Sequence, residues 1–535
     1  MHLPGKKNQT IRMDSTLLLN INLIFFGTGW AGDTQVSWFS AIPFACVLLL
    51  IAVGPMFFHH FWESDKNKSL AILILSLPVI IYLWTIREST NSQSLYAFQH
   101  SLVDYLCFMS LIGSLYVVSS GIVLKFKWKS TPLLNAALLA CGAILANFLG
   151  TTGASILLFK PYIYANRNRN HKVHLVLFFI FIVGNMGGLL TPLGDPPLFL
   201  GFLNGIDFFW TISLWPQWLV SNTYLLITFL LVDFYYWRKD NTSLTSSQNT
   251  DEEAFHFFGK RNFIFLGLLL FLVLLQSPSI GKPLGALAGK ILPIDNLTLP
   301  IVPAALAQLL VAALAFATTP NLIRRTNEFS WLPIREVAIL FVGIFITMIP
   351  ALEILRQHSS KLALDHAWQY FWVTGGLSSI LDNAPTFLAI TTLAAGDDGI
   401  ASLSFSKPGI LAAICCGAVF MGANTYIGNG PNFLIKAMAE KNQIKMPSFF
   451  TYAFLAFILF LPLYLFLSFV FFWSFFRNFT EFHYIALPLL QKELRLPYMV
   501  GVAQLVRASV CGTEGRGFNS PHSPLSNLFV DHFYF

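Results

Sequence analysis

A chain of 535 residues that is 55% hydrophobic and only 11% charged is not a soluble globular protein, in which charged residues make up about 25%. Its formal net charge of +7 is scattered over short segments between apolar runs, so it reads as membrane-topology information and excludes a nucleic-acid footprint. No P-loop or nucleophile–base pair is present, and the six cysteines lack metal-ligand spacing, so neither enzymatic activity nor a bound cofactor is expected.

In chain order, residues 1–37 carry Lys6, Lys7 and Arg12, a short apolar stretch, and a glycine-rich zone at 27–32. That pattern fits a cleaved signal peptide and an interfacial helix about equally. Apolar runs at 38–58, 69–86 and 102–124 approach or exceed the roughly 20 residues a bilayer span needs. Lys125, Lys127 and Lys129 then place the end of the third run in the cytoplasm. The run 132–158 is flanked by basic clusters on both sides, with Gly150-Thr151-Thr152-Gly153 inside it. Entry and exit on one face predict a re-entrant hairpin with its tip at 150–153. Residues 173–203 cross next, and 218–237 returns to Arg238 and Lys239. A polar cytoplasmic linker is expected at 238–261.

The second half repeats this plan: spans at 263–275, 299–318 and 334–352, and a hairpin over 366–393 interrupted by Asp382-Asn383-Ala384-Pro385. A crossing at 409–435 and a last one at 449–472 complete it. Residues 477–535 form a tail. Ala503–Ala508 and Gly517–Ser520 can be back-translated into the D-arm and T-arm of a transfer-RNA gene, so from about residue 498 the reading frame is expected to run into such a gene.

Two crossings contain sequences that no continuous membrane helix tolerates. Residues 184–200 read GNMGGLLTPLGDPPLFL, where adjacent prolines remove backbone donors and break the helical ladder. Unwound backbone at membrane depth survives only beneath protein or beside a watery cavity. The run 191–200 (TPLGDPPLFL) aligns with 425–434 (TYIGNGPNFL) at an offset of 234, and the hairpin tips align at 232. The expected fold is therefore an all-α polytopic membrane protein built as two inverted repeats, 38–237 and 262–476. Each has about five transmembrane helices, one re-entrant hairpin and one broken helix, an arrangement of secondary transporters.

Asp195 and Asp382 are the chief site candidates, because a carboxylate in the bilayer interior costs about 2.5–3.5 kcal/mol. The competing reading makes each a helix N-cap ahead of a proline. Thr151, Thr152, Ser155, Asn185, Thr191, Asn383, Thr386, Asn424, Thr425, Asn429 and Asn432 add neutral oxygens at the same breaks, with interhelical hydrogen bonding as the plainer role. Carboxylate, hydroxyl and amide oxygens suit a small cation such as Na⁺, and an unsolvated carboxylate can hold a proton when no cation is bound. The half-helices that start at the two breaks could also receive an organic anion. Glu353 and Arg356 are expected just past a span, among the lipid headgroups.

The run ANFLGTTGAS at 146–155, TPLGDPPLFLGFL at 191–203, and Leu381-Asp382-Asn383-Ala384-Pro385-Thr386 together resemble the ion transporter superfamily. Within it the resemblance is to a bacterial branch of citrate-transport and sodium:proton-antiporter proteins, over about 38–472. This resemblance implies a dimerising scaffold, a transport domain that moves as an elevator, and a bacterial inner-membrane location. The superfamily's dicarboxylate carriers place Ser-Asn-Thr at both hairpin tips, where this chain has Gly-Thr-Thr-Gly and Asp-Asn-Ala-Pro. The aspartates accordingly point first to Na⁺/H⁺ antiport by alternating access, and second to Na⁺- or H⁺-coupled transport of citrate or a similar organic anion.

Overall fold

The computed structural model describes residues 35–62, 64–125, 130–241, 256–277, 279–281, 298–362 and 364–473. The expectations for the leader up to residue 34, for linker residues 242–255 and for the tail fall outside them.

Helices α1 (Ile42–Phe57), α2 (Asp65–Thr85) and α3 (Gln93–Ser120) open the described chain. A 3-10 turn, Trp38–Ala41, precedes α1, and Pro43 in its first turn starts the helix proper. The first α-helical run is thus shorter than the full span expected at 38–58, because its first four residues form the 3-10 turn and Phe58 leaves helical geometry. Past α3, Val123–Lys125 (β1) pairs antiparallel with His256–Phe258 (β2), a two-stranded ribbon in place of the end of the solvated linker expected there.

Helix α4, Pro132–Ala165, is continuous by hydrogen bonding except at Gly150, whose φ of 72° and ψ of 156° are not helical. A straight run from Asn135 to Asn166 would be about 46 Å long. Instead their side-chain amides exchange hydrogen bonds at 2.9 and 3.0 Å. The chain therefore folds back on itself at Gly150. A side chain there would be strained by the left-handed φ, which glycine alone adopts cheaply.

Then come α5 (Val173–Ile182), α6 (Pro196–Leu203), α7 (Trp215–Asn241), α8 (Lys260–Leu274), α9 (Ile301–Thr318) and α10 (Leu332–Gln357). The short helices α11 (Ala367–Ser378) and α12 (Asn383–Ala395) pack against each other. At 12 and 13 residues, neither is long enough to cross a bilayer. The chain continues through α13 (Pro408–Met421), α14 (Gly430–Lys441) and α15 (Phe449–Leu467). Among the described residues eight helices are long and apolar enough to cross a membrane. The number is nine if Ile400–Ser406 and Pro408–Asn424, bent by 119°, form one span.

The helices sort into two packing groups. In the first, α3 lies against α8, α9 and α10, and α10 lies against α1 and α2. Polar side chains there are satisfied across helices: Ser110 Oγ donates to Gln308 Oε1 at 2.8 Å and Ser114 Oγ to the Gln308 carbonyl at 2.9 Å. The second group contains α4–α7 and α11–α15, with the pair α11/α13 at its centre. The two groups meet where α3 packs on α4 and α10 on α12. Glu353 and Arg356 fall inside α10 and not beyond it. They pair at 2.5–2.9 Å, and Glu353 is buried, because the helix runs five residues past the expected end of the span.

Candidate functional site

Both broken segments fold in the same way. After α5 the backbone makes a 3-10 turn at Met186–Leu190, extends at Thr191, and doubles back so that Gly194 touches Gly188 before Asp195 leads into α6. After α13 the turn is Gly422–Asn424, Thr425 is extended, and Gly428 touches Gly422 before Asn429 leads into α14. A Cβ on Gly194 would lie 2.0 Å from the Gly188 carbonyl oxygen, and one on Gly428 would lie 2.6 Å from that of Gly422. Only glycine allows these backbones to pass so closely. Proline in the first turn of α6 and of α14 costs no hydrogen bond, since helix-start donors have no partner within the helix.

Each break is hooked to one hairpin. Thr191 Oγ1 donates to the Asn147 carbonyl at 2.5 Å, as Thr425 Oγ1 does to the Ser379 carbonyl at 2.6 Å. The Leu190 backbone N–H reaches Asn147 Oδ1 at 2.8 Å, and Asn424 Nδ2 reaches Ser379 Oγ at 2.8 Å. The break residues in these pairs are separated by 234 positions and the hairpin residues by 232, the offsets seen in the sequence.

All four interruptions meet at Asp195, which is 1% exposed. Its Oδ1 accepts from Thr151 Oγ1 and from Asn429 Nδ2, each at 3.1 Å, and its Oδ2 accepts from Asn383 Nδ2 at 2.6 Å. One donor thus comes from the first hairpin tip, one from the second tip and one from the other broken helix. The Thr151 N–H also donates to the Gly194 carbonyl at 2.9 Å. Asp195 occupies the N-cap position of α6, yet its side chain makes no capping hydrogen bond. It is turned inward to the other three breaks, which corrects the capping reading. Asp382 does cap: its Oδ1 accepts from the Ala384 N–H at 3.0 Å, one residue before Asn383.

The remaining predicted residues separate by role. Asn185, Asn429 and Asn432 knit the two breaks together, with Asn185 Nδ2 on Asn432 Oδ1 at 2.7 Å and Asn429 Nδ2 on Asn185 Oδ1 at 3.1 Å. Asn432 Nδ2 also secures the carbonyls of Gly422 and Thr425, both at 2.8 Å. Thr191, Asn424 and Thr425 are the hooks described above. Thr386 and Ser155 bond back to the carbonyls of Asp382 and Thr151, four residues earlier, and contribute nothing directly to the meeting point. Thr152 lines a cavity of about 50 Å³ bounded by Thr151, Asp195, Phe199 and, from α3, Leu115 and Tyr116. That volume suits a water molecule or two, or a small ion.

Around the carboxylate stand hydroxyl and amide groups, with no lysine or arginine in residues 147–155, 184–197, 379–386 or 422–432. Asn383 Oδ1 is buried and has no hydrogen-bond partner. An unpaired acceptor beside a buried carboxylate is costly unless something positively charged or protic joins it. Hard oxygen ligands of this kind suit Na⁺ or a proton.

Sequence reading missed a second buried cluster, behind the first hairpin. Asp233 of α7 pairs with Arg169, and its carboxylate also takes His174 Nε2 at 2.9 Å and Asn135 Nδ2 at 3.0 Å. Arg169, His174 and Asn135 are all buried. An aspartate inside the run 218–237, with basic residues at 167–174 expected on the same cytoplasmic side, is the signal that could have found it.

No curated protein matches the sequence significantly. The family model described as "Putative citrate transport" matches residues 33–472, which include both hairpins, both broken helices and Asp195. This membrane protein, a transporter in type and not an enzyme, belongs to that citrate-transport family.

Proposed function

We propose that the chain is a secondary active transporter that moves citrate or a similar organic anion together with Na⁺ or H⁺, with Asp195 as the coupling-ion ligand. The observation that carries this is the convergence of all four backbone interruptions on one buried carboxylate. Thr151, Asn383 and Asn429 orient it, and the free Asn383 Oδ1 completes an oxygen set for the ion. Family membership supports the anion. At the start of α6 the two prolines carry no N–H and the Leu198 and Phe199 N–H groups donate to the Asp195 carbonyl, so an anion's carboxylate would meet backbone donors at the start of α14, where Gly430 precedes Pro431. With no basic side chain at the breaks, the remaining anionic charge has to be balanced by co-transported cations.

The matched hooks at offsets of 232 and 234 support two inverted repeats. On this reading the two hairpins are re-entrant from opposite faces, the first packing group is a scaffold, and the second carries the site across the membrane. A homodimer built on the scaffold and a bacterial inner-membrane location belong to the same proposal.

Na⁺/H⁺ antiport without an organic substrate is a second reading. It is favoured by the uncompensated carboxylate of Asp195 and by the small size of the cavity. Proteoliposome flux separates the two. Labelled citrate uptake that requires an inward Na⁺ or H⁺ gradient and is lost in Asp195→Asn supports co-transport. Na⁺-driven proton movement that is indifferent to citrate supports antiport. Gradient-driven flux that survives Asp195→Asn would refute the role given to Asp195 in both.

A further inference from the structure

We propose that Glu328 is a charge latch that holds the site-bearing group against the scaffold on the cytoplasmic side and so biases which side of the membrane the site faces. The proposal rests on the two-group reading above.

Glu328 follows the short helix Asn321–Thr326, between α9 and α10, so it belongs to the scaffold group. Its neighbour Asn327 ties this turn to the end of α3, donating to the carbonyls of Ser120 and Ile122 at 2.7 Å each. From that anchored turn the Glu328 carboxylate bridges two lysines of the other group. Lys160, on the returning arm of α4, donates to Oε1 at 2.8 Å, and Lys441, the last residue of α14, contacts Oε2. Lys160 also donates to the Thr326 carbonyl at 2.8 Å. One carboxylate thereby clasps the first hairpin and the second broken helix at once.

The backbone supplies an independent observation. Glu328 has φ of 52°, in the left-handed region, where it closes the preceding helix by donating its N–H to the Arg325 carbonyl at 3.1 Å. Glycine is the low-cost residue at such a cap, and a side chain there is strained. A glutamate in that place is accounted for by what its carboxylate holds. The two lysines also keep its carboxyl below the usual glutamate range, hence ionised at neutral pH. At the opposite end of α10, Arg356 contacts Asp397, a link to a single element. Any sliding of one group along the other has to part Glu328 from both lysines. The pairs are exposed to water, so their bias is modest and screened by salt.

The test compares Glu328→Gln with Glu328→Gly in the full chain, reconstituted in liposomes. Both variants remove the charge, and only the second relieves the backbone. A cysteine at Ile112, which borders the cavity from α3, reports access to a membrane-impermeant maleimide from each side, with Cys46, Cys141 and Cys511 replaced by serine. Both variants are expected to shift the ratio of inside to outside labelling by about threefold to fivefold in the same direction. High salt applied to the parent is expected to mimic them. Charge reversal, Glu328→Lys with Lys160→Glu and Lys441→Glu, restores the ratio. An unchanged ratio in either folded variant overturns the latch. Because labelling needs no transported solute, the outcome stands or falls separately from citrate flux.

Discussion

Gly194→Ala tests the geometry of the first break most directly. The new Cβ would sit 2.0 Å from the Gly188 carbonyl oxygen, whereas ordinary contact begins near 3.4 Å, so the two backbones have to part by about 1.4 Å. Neither partner is a flexible side-chain end that can swing aside. Overpacking in a filled core costs about 1–3 kcal/mol, and a backbone-to-backbone clash belongs at or above the top of that range. The displacement also passes to the site, because the Gly194 carbonyl receives the Thr151 N–H and the next residue is Asp195. A misplacement of about 1 Å in a reacting or binding group costs roughly a hundredfold in rate. Gly194→Ala is therefore expected to lose about 3 kcal/mol or more of stability and about a hundredfold in gradient-driven flux. Gly430→Ala, two residues past Gly428, the counterpart of Gly194 in the second break, meets nothing within 4 Å and is the control. Thermal unfolding of the detergent-purified protein and proteoliposome flux measure both effects. If Gly194→Ala melts and transports like Gly430→Ala, the close crossing of 188 and 194 is not how this break is built.

Three further outcomes follow from the same contacts. If the wild type binds its coupling cation at Asp195, a cation concentration of a hundred times Kd stabilises it by about 2.7 kcal/mol, and Asp195→Asn loses that thermal shift while remaining folded. An equal shift in the variant places the cation elsewhere. Asp233→Asn leaves buried Arg169 without its counter-charge and is expected to cost about 3–5 kcal/mol in thermal unfolding, whereas replacing both with apolar residues costs less. For Glu328, the folded carboxyl titrates below its unfolded value, so its contribution is complete at neutral pH and is lost as pH falls through the lowered folded value. The labelling difference between wild type and Glu328→Gln should therefore hold at pH 6–8 and shrink only below about pH 4.3; a difference that disappears by pH 6 assigns the effect to another group.

The interruptions were legible in the sequence because they are made by residues with backbone meaning. Gly150, Pro196, Pro197 and Pro431 mark where helices cannot continue, and the common offset between repeats comes from these same positions. What Asp195 touches was not legible. Its donors lie 44, 188 and 234 residues away, and a cap and an inward-facing acid look alike in sequence. That Asn147 and Ser379 receive the hooks was not legible, because a small polar residue in an apolar run most often bonds to its own helix. Asp233 was missed for a related reason: it lies in a continuous apolar run with no break to draw attention to it, and its charged partner is 64 residues away. Ends of helices were also misplaced where polar residues continue a helix past its apolar run, as Lys160 does in α4 and Glu353 in α10.

Surrounding Asp195 with amides and a hydroxyl, and with no fixed cation, leaves its charge to be cancelled only by what binds there. Without an ion or proton the Asp195 carboxylate is uncancelled; with one aboard its charge is cancelled. Dragging a bare ion past apolar helices incurs a desolvation penalty of several kcal/mol, while a neutralised pair passes far more cheaply. If the proposed movement carries this site past apolar helices, that difference acts as a dielectric turnstile that favours the filled state. On that proposal tight coupling needs no separate gate: neutral ligands around Asp195 are enough to hold back the empty site.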